Sequence, residues 1–150
     1  AGLTKQVAQI TLIAILGTSL ISTSITMKKL HPYQNLYFNL LAGRDMQIVK
    51  QNFEMDYWGL SYKEGLAYVI ENDLDPIINV AVSNLPGSLN ANLLPKEARD
   101  RLKFTNLKDA KYFLTNYRWH PQDYSCDELY SVKIGGAKIM SVFKVTENCP

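Results

Sequence analysis

Two acidic and two aromatic side chains lie close together near the middle of the chain. Glu54 and Asp56 alternate with apolar residues across residues 53–57, which is the period-two pattern of a half-buried strand. Residues i and i+2 of a strand share a face, so these carboxylates could act as an acid–base pair on a sugar. A solvated strand face gives the same pattern, and we favour that interpretation. Asp56, Tyr57 and Trp58 together are candidates for a sugar-contacting or domain-docking platform.

Histidine is scarce, and the two histidines are far apart in the chain, at His31 and His120. Neither belongs to a local metal-binding motif. The His31 imidazole could bond a phosphate or a sugar hydroxyl, although capping of the preceding helix is the interpretation we favour. Tyr33 and Gln34 follow it as further weak candidates for substrate binding or docking. The chain contains no G-x-S-x-G, Walker, H-E-x-x-H or dinucleotide-binding motif, so we assign no catalytic residue and no metal site.

A turn and a helix follow the aromatic pair. Gly59 allows the chain to turn without a Cβ penalty. Ser61 and Glu64 then have the S-x-x-E spacing of a capping box, in which each side chain accepts a hydrogen bond from an unpaired N–H at the helix start. We therefore predict a helix from about Tyr62 to near Asn72 with one buried face.

The rest of the chain predicts a small α/β domain. An apolar, β-branched run at residues 77–82 is typical of a buried strand, and helix followed by buried strand favours a parallel or mixed sheet. We expect in addition a loop at 83–94, a short helix at 95–100, strands at 102–105 and 111–116, a loop at 119–127, and a hairpin of 128–134 with 138–145 around Gly135-Gly136. The predicted fold class is a two-layer or three-layer α/β domain with a mixed sheet and a C-terminal β-hairpin.

The N-terminal part of the chain is hydrophobic. Residues 7–26 are 20 residues without a charge, close to the length of helix that crosses a bilayer. We predict that residues 1–29 form a transmembrane helix, with a secretory signal peptide as the alternative. The many hydroxyl and small side chains of this segment suit a helix within a bundle better than a lone anchor.

A short interfacial helix is expected after this segment, within a connection at residues 30–52. Pro32 can start a helix, and Gly43 can end it. Apolar residues between them have the spacing of one helical stripe: Tyr33, Leu36, Tyr37, Leu40 and Leu41. Tyrosine rings are common at the depth of lipid headgroups, so membrane lipid is the expected partner of this stripe. The remaining residues, 53–150, form the predicted α/β domain.

Composition argues against nucleic acid as a partner, and it leaves the pairing of the two cysteines undecided. The chain is 47% hydrophobic and 20% charged, as expected of a folded protein. After residue 29 it carries 13 basic and 14 acidic residues, so no basic surface for nucleic acid is expected. Cys126 and Cys149 flank the predicted hairpin, where antiparallel pairing would bring them together as a disulfide. Two unrelated buried thiols are the alternative.

Two segments of the sequence, taken in order, resemble a known protein family. HPYQNLYFN at residues 31–39 and FEMDYWGLSYKEGL at residues 53–66 are similar to the segment that follows the last membrane helices of polytopic glycosyltransferases using lipid-linked sugars, the family of dolichyl-phosphate-mannose protein mannosyltransferases and their bacterial relatives. The resemblance implies the C-terminal part of such an enzyme, whose acidic catalytic residues lie in an early extracytoplasmic loop. This chain alone is then not catalytic.

The resemblance also implies partners and a location. The complete enzyme would transfer a sugar from a polyprenyl phosphate to an acceptor, with a divalent metal as a possible cofactor that this part does not bind. The C-terminal domain would be extracytoplasmic and would recognise the acceptor or cover the active site. Lys28 and Lys29 favour the opposite orientation by the positive-inside rule, but Lys5 on the other side weakens that argument. Alternative functions are a membrane-anchored structural subunit of the pilin type and an extracytoplasmic sensor or binding domain.

Overall fold

A computed structural model describes residues 2–39, 41–147 and 149. The chain divides into two compact units, Ala1–Tyr37 and Phe38–Pro150. The first unit consists of helix α1, Gly2–Leu30, and a single 3₁₀ turn, Gln34–Leu36. No residue of α1 is buried, and the helix is long and apolar enough to cross a membrane by length and composition, criteria that a signal sequence also meets. By these criteria α1 could serve as a membrane anchor or as a signal sequence.

The predicted interfacial helix is wrong for the residues that the structure describes. One 3₁₀ turn, Gln34–Leu36, replaces it, and Leu40 of the predicted stripe lies outside the described residues. Asn39 supplies a physical reason, because its Oδ1 accepts hydrogen bonds from the N–H groups of Leu41 and Ala42 at 3.0 and 3.3 Å. Such a side-chain turn competes with helix formation.

The second unit contains a five-stranded mixed sheet with strand order β2-β1-β3-β5-β4. Strands β1, β2 and β3 are parallel, and the hairpin β4–β5 joins β3 in antiparallel fashion. The elements of this unit are α2 (Met46–Asn52), α3 (Ser61–Asn72), β1 (Ile78–Val82), α4 (Leu85–Asn90), a 3₁₀ turn (Ala91–Leu93), α5 (Lys96–Arg99), β2 (Leu102–Phe104), a 3₁₀ turn (Leu107–Asp109), β3 (Tyr112–Thr115), β4 (Asp127–Ile134) and β5 (Ala137–Lys144). The α/β fold class is confirmed.

Helix α3 covers one face of the sheet at close range. A Cβ placed on Gly65 would lie 2.6 Å from the Met140 side chain and 3.0 Å from that of Leu114, so a larger residue there would require these side chains to move. The opposite face has a second cluster around Ala81, Phe113 and Phe143, which is covered by irregular segments of the chain rather than by a helix. The domain therefore has two regular layers, the helices and the sheet.

Most of the predicted elements after residue 60 are confirmed. The helix ends at Asn72 as expected, the short helix before β2 begins after Pro95, and the final hairpin turns at Gly135-Gly136. The predicted loop at 83–94 is wrong, because it contains α4. Pro86 lies in the first turn of that helix, where its missing N–H is not needed.

Two predictions around the aromatic pair are also wrong. Residues 53–57 do not form a strand, because the Asp56 carboxylate and carbonyl both bond to the chain that follows and turn it into α3. The capping box is absent as well. The residue before α3 is Leu60 and has no side-chain cap, while the Glu64 carboxylate accepts a hydrogen bond from the Tyr130 hydroxyl.

Candidate functional site at the carboxyl edge of the sheet

Asp56 anchors the start of α3. Its side chain is fully buried, so the prediction of a solvated strand face is wrong for this residue. Oδ1 accepts from the Leu60 N–H at 3.1 Å, and Oδ2 accepts from the Ser61 N–H at 2.9 Å and from the Ser61 hydroxyl. A carboxylate at a helix N-terminus satisfies unpaired N–H groups and is favoured by the helix dipole. Asp56 is thus a structural residue, and Glu54 pairs instead with Arg118 at 3.0 Å.

Tyr57 and Trp58 extend outward from this anchor. They are 46% and 68% exposed, so both side chains lie at the surface, where a platform requires them. Their rings meet edge-to-face at a centroid distance of 5.0 Å. The Arg118 guanidinium lies 3.9 Å from the centre of the Tyr57 ring, a cation–π contact that holds the ring in place.

The backbone around Trp58 is rigid although its indole is exposed. The Asn90 amide donates to the Trp58 carbonyl at 2.8 Å and to the Pro86 carbonyl at 2.8 Å. Gly59 has φ +66°, and a Cβ there would lie 2.7 Å from the Pro86 Cβ. Glycine is therefore required at residue 59, because the backbone there is left-handed and because a side chain would be too close to Pro86. The indole is presented on a fixed support.

These aromatic side chains border a groove of about 400 Å³, which we call the aromatic groove. Its lining residues are Tyr57, Trp58, Leu85, Pro86, Leu89, Asn90, Arg118 and Trp119. Trp119 is 69% exposed, and Leu85 and Leu89 are 69% and 56% exposed. A volume of this size is within the range of ligand sites, which is roughly 300–1,000 Å³.

A smaller cavity of about 160 Å³ lies beside the groove, at the carboxyl ends of β1 and β3, and we call it the crevice. It is lined by Ser83, Asn84, Thr115, Trp119, His120 and Tyr124, so Trp119 belongs to both sites. The chain leaving β1 continues to β2 at one edge of the sheet, and the chain leaving β3 continues to β4 at the other edge. Ligands of open α/β sheets bind at such switch points.

A neutral hydrogen-bond network supports the floor of the crevice. Asn116 donates through Nδ2 to the Asp56 carbonyl at 2.7 Å and accepts at Oδ1 from Asn84 Nδ2 at 2.6 Å. The Tyr62 hydroxyl lies 2.8 Å from Ser83 Oγ and accepts from the Asn116 N–H at 3.3 Å. Burial raises the pKa of the Tyr62 hydroxyl, so this group stays protonated. The network ties the crevice to the anchor at Asp56.

Tyr117 turns the chain between this network and the groove. Its φ of 58° is left-handed, a conformation that costs a non-glycine residue roughly 1–2 kcal/mol. Its hydroxyl donates to Ser141 Oγ at 2.7 Å, and the Lys50 ammonium lies 3.5 Å from its ring centre. Burial lowers the pKa of Lys50 and raises that of Tyr117 to about 12. These contacts hold the strained turn that directs Arg118 and Trp119 to the groove.

The candidates predicted near the first helix lie in the other unit. The His31 Nδ1 accepts a hydrogen bond from Gln34 Nε2 at 2.7 Å, so these two candidates contact each other. Tyr33 is buried. Cys126 and Cys149 form a disulfide with an S–S distance of 2.07 Å, which closes the hairpin as the antiparallel argument predicts.

The sequence pattern indicated Tyr57 and Trp58 as part of the carboxyl-edge site but did not indicate the residues that face them. Ser83, Asn84 and Asn116 follow two buried strands directly, and polar residues at the ends of neighbouring parallel strands are a signal that could have found them. Trp119 and Arg118 lay in a loop with no pattern that links them to Trp58. The Tyr117 conformation that brings them there has no signature in the sequence.

The side chains at this site are of types suited to recognising a ligand. Among the described residues, no group of three or more His, Cys, Asp or Glu side chains is arranged to hold a metal ion. Aromatic faces, amides and hydroxyls instead suit the C–H faces and hydroxyl groups of a carbohydrate. No protein-family model, curated protein or solved structure matches the chain in the comparisons with known proteins.

Proposed function

We propose that the chain is the C-terminal membrane helix and extracytoplasmic domain of a glycosyltransferase that moves a sugar from a polyprenyl-phosphate donor. In this proposal the domain recognises the carbohydrate acceptor, or the sugar of the donor, through the aromatic groove. The observation that carries the proposal is the pair of exposed indoles, Trp58 and Trp119, on the rigid carboxyl edge of the sheet. The resemblance at residues 31–39 and 53–66 supplies the enzyme class.

Two further features support this assignment. The Cys126–Cys149 disulfide favours an oxidising compartment outside the cytoplasm, in agreement with the orientation that the resemblance implies. Helix α1 has the length and composition of a membrane span. A domain attached at a membrane surface is well placed to meet a lipid-linked sugar.

Intrinsic fluorescence provides a direct test, because the two tryptophans of the chain are both in the groove. The full chain would be held in micelles of a detergent without a sugar headgroup and titrated with mannotriose, then with a short-chain prenyl-phosphate mannose. We expect a saturable change in tryptophan emission. Trp58→Ala should weaken binding about tenfold, since a stacking surface is lost.

A matched control and the opposing outcome make the test decisive. Leu74 is 94% exposed and does not line the groove, so Leu74→Ala should bind both probes like the unmodified chain. The absence of any saturable change with either probe would overturn the carbohydrate proposal. Assembly of the chain into filaments in that case would favour the structural-subunit alternative.

A further inference from the structure

Asn84, which lines the crevice, carries a buried acceptor without a hydrogen-bond partner among the described residues. Asn84 is 7% exposed, and its Oδ1 is buried and has no hydrogen-bond partner among the described residues. The amide orientation is fixed, because Nδ2 donates to Asn116 Oδ1 at 2.6 Å and to Ser83 Oγ at 3.2 Å. A buried acceptor left unpaired costs roughly 1–3 kcal/mol. A group that donates a hydrogen bond to Asn84 Oδ1 would remove this cost.

Ser83 lies beside that acceptor and can act as a donor. The Tyr62 hydroxyl accepts from the Asn116 N–H and lies 2.8 Å from Ser83 Oγ, a contact in which either hydroxyl can donate. Ser83 Oγ also accepts from Asn84 Nδ2. When Tyr62 is the donor, both acceptor positions of Ser83 Oγ are used and its proton is left for a ligand.

His120 adds a second acceptor at the wall of the crevice. Its Nδ1 lies 3.1 Å from the carbonyl oxygen of Gln122, and a carbonyl can only accept, so Nδ1 carries the proton. Nε2 of the neutral ring is then an acceptor. The imidazole is held against the Tyr124 ring at a centroid distance of 4.5 Å. The crevice thus offers acceptors and a donor together, as a hydroxyl-bearing ligand requires.

The charge and size of the crevice define the ligand class further. Within the described part of the chain, its lining includes no carboxylate, lysine or arginine, so a buried charge on the ligand would have no counter-charge. The volume of about 160 Å³ is well below the range for drug-sized ligands, which favours a small ligand over a nucleotide or a disaccharide.

We propose that the crevice binds one neutral, hydroxyl-bearing ring, of the class of a single monosaccharide residue. One ligand hydroxyl donates to Asn84 Oδ1, a second donates to His120, and Ser83 donates to a ligand oxygen. The Trp119 indole, which lines both cavities, covers the C–H face of the ring. This inference rests on the proposed function for its ligand class, and it makes the crevice a terminal subsite for the chain that the groove holds.

The test uses nuclear magnetic resonance on the full chain in micelles without a sugar headgroup. Methyl α-mannopyranoside is the probe, and mannose 6-phosphate is the charged comparison. The side-chain amide signals of Asn84 and Asn116 should shift saturably at millimolar concentrations of the methyl glycoside. The phosphate should bind at least about tenfold more weakly, because the lining residues offer it no cation.

Two variants locate the binding in the crevice. Ser83→Ala and His120→Phe should each weaken the methyl glycoside about tenfold, and the phenyl ring preserves the packing on Tyr124. Ser88→Ala is the matched control, since the Ser88 hydroxyl donates to the Leu85 carbonyl of its own helix at 3.1 Å and Ser88 does not line the crevice. It should bind the methyl glycoside normally.

The outcomes separate this inference from the function proposed above. If Trp58→Ala weakens mannotriose but leaves the methyl glycoside unaffected, both sites are supported. Mannotriose binding without any shift of the Asn84 amide would overturn the crevice and leave the groove intact. Equal affinity for mannose 6-phosphate would overturn the neutral-ligand class, and shifts confined to the crevice would overturn the groove alone.

Discussion

At the amino ends of the parallel strands the side chains are charged and paired, whereas the crevice at the carboxyl ends is lined by side chains other than carboxylates, lysine and arginine. The Arg101 guanidinium, before β2, donates to the carbonyls of Ile70, Asp73 and Asp75. Lys111, before β3, lies 2.7 Å from each of the two carboxylates, Asp73 Oδ2 and Asp75 Oδ2. No comparable ion-pair cluster lines the crevice in the described residues.

The disulfide reinforces the charged edge. Cys126 directly precedes β4 and Cys149 follows β5, and the register places Asp127 opposite Lys144 and Lys144 opposite Tyr112 at the start of β3. The difference between the two edges indicates that one edge stabilises the sheet and the other is available for recognition. Ionic and covalent links fix the strands at one end, so the other end can expose aromatic and polar groups for recognition.

The largest expected effect is loss of the disulfide. Replacing both Cys126 and Cys149 with alanine should lower the free energy of unfolding by about 3 kcal/mol, because a cross-link over 23 residues restricts the unfolded chain. Urea denaturation of residues 38–150 measures the change. Thiol titration of the denatured, non-reduced protein should find no reactive thiol, and two reactive thiols would contradict the disulfide.

Arg101→Ala should have the next largest effect. Three backbone carbonyls lose a charged donor, so we expect a loss of about 2–3 kcal/mol in urea denaturation. Arg99→Ala is the control, because the Arg99 guanidinium reaches the exposed Asn92 side chain at 2.8 Å. That variant should change stability by less than about 0.5 kcal/mol. Similar losses of stability in the two variants would show that Arg101 stabilises the domain no more than an arginine outside the amino edge does.

The anchor of the carboxyl edge should contribute less. Asp56→Ala removes the acceptors for the Leu60 and Ser61 N–H groups and should cost about 1–2 kcal/mol, as for the loss of a helix cap. Glu54→Ala, two residues away, breaks only a partly exposed pair with Arg118 and should cost less than about 0.5 kcal/mol. Equal costs would show that Asp56 does not cap α3 in solution.

Acid should weaken the amino edge selectively. Burial raises the pKa of Asp73, but hydrogen bonds from Lys111, the Asp75 N–H and Tyr112 outweigh it, and the net pKa is below the ordinary 3.8. A lowered folded-state pKa gives stability that is fully present above the unfolded pKa and is lost as pH falls through the folded one. Urea midpoints should therefore fall below about pH 4. Asp73→Asn should flatten this dependence, whereas Asp109→Asn, at an exposed residue, should not.

The sequence was informative where a pattern depends on nearby residues. The β-branched run of β1 and the Gly135-Gly136 turn are local signals, and both elements form where predicted. The alternation at residues 53–57 was misleading, because it describes which side chains are buried without showing that a partner strand exists. Asp56 decided the structure there through hydrogen bonds to residues four and five positions later.

The candidate site depends on long-range contacts that local patterns do not contain. Asn116 reaches the Asp56 carbonyl across 60 residues, and Arg118 reaches Glu54 across 64. The sequence therefore indicated Tyr57 and Trp58 as a platform but not the residues that complete it. A left-handed tyrosine at residue 117 is a result of tertiary packing, and no propensity predicts it.

The smallest effect on stability is expected at the aromatic groove itself. Trp58 is 68% exposed and Tyr57 46% exposed, so truncation leaves no large cavity, whereas a buried aromatic would cost about 3–5 kcal/mol. Trp58→Ala should cost less than about 0.5 kcal/mol. Tyr57→Ala should cost about 1 kcal/mol because it also removes the ring stacked on Arg118.

Comparing these two variants by urea denaturation then distinguishes a recognition surface from a structural one. The Asn90 amide and the Gly59 turn fix the backbone at Trp58 independently of the indole, so the side chain can be removed without changing its support. A larger stability loss for Trp58→Ala than for Tyr57→Ala would mean that the indole is buried in solution. The carboxyl edge would then contribute to stability through its side chains, as the amino edge does.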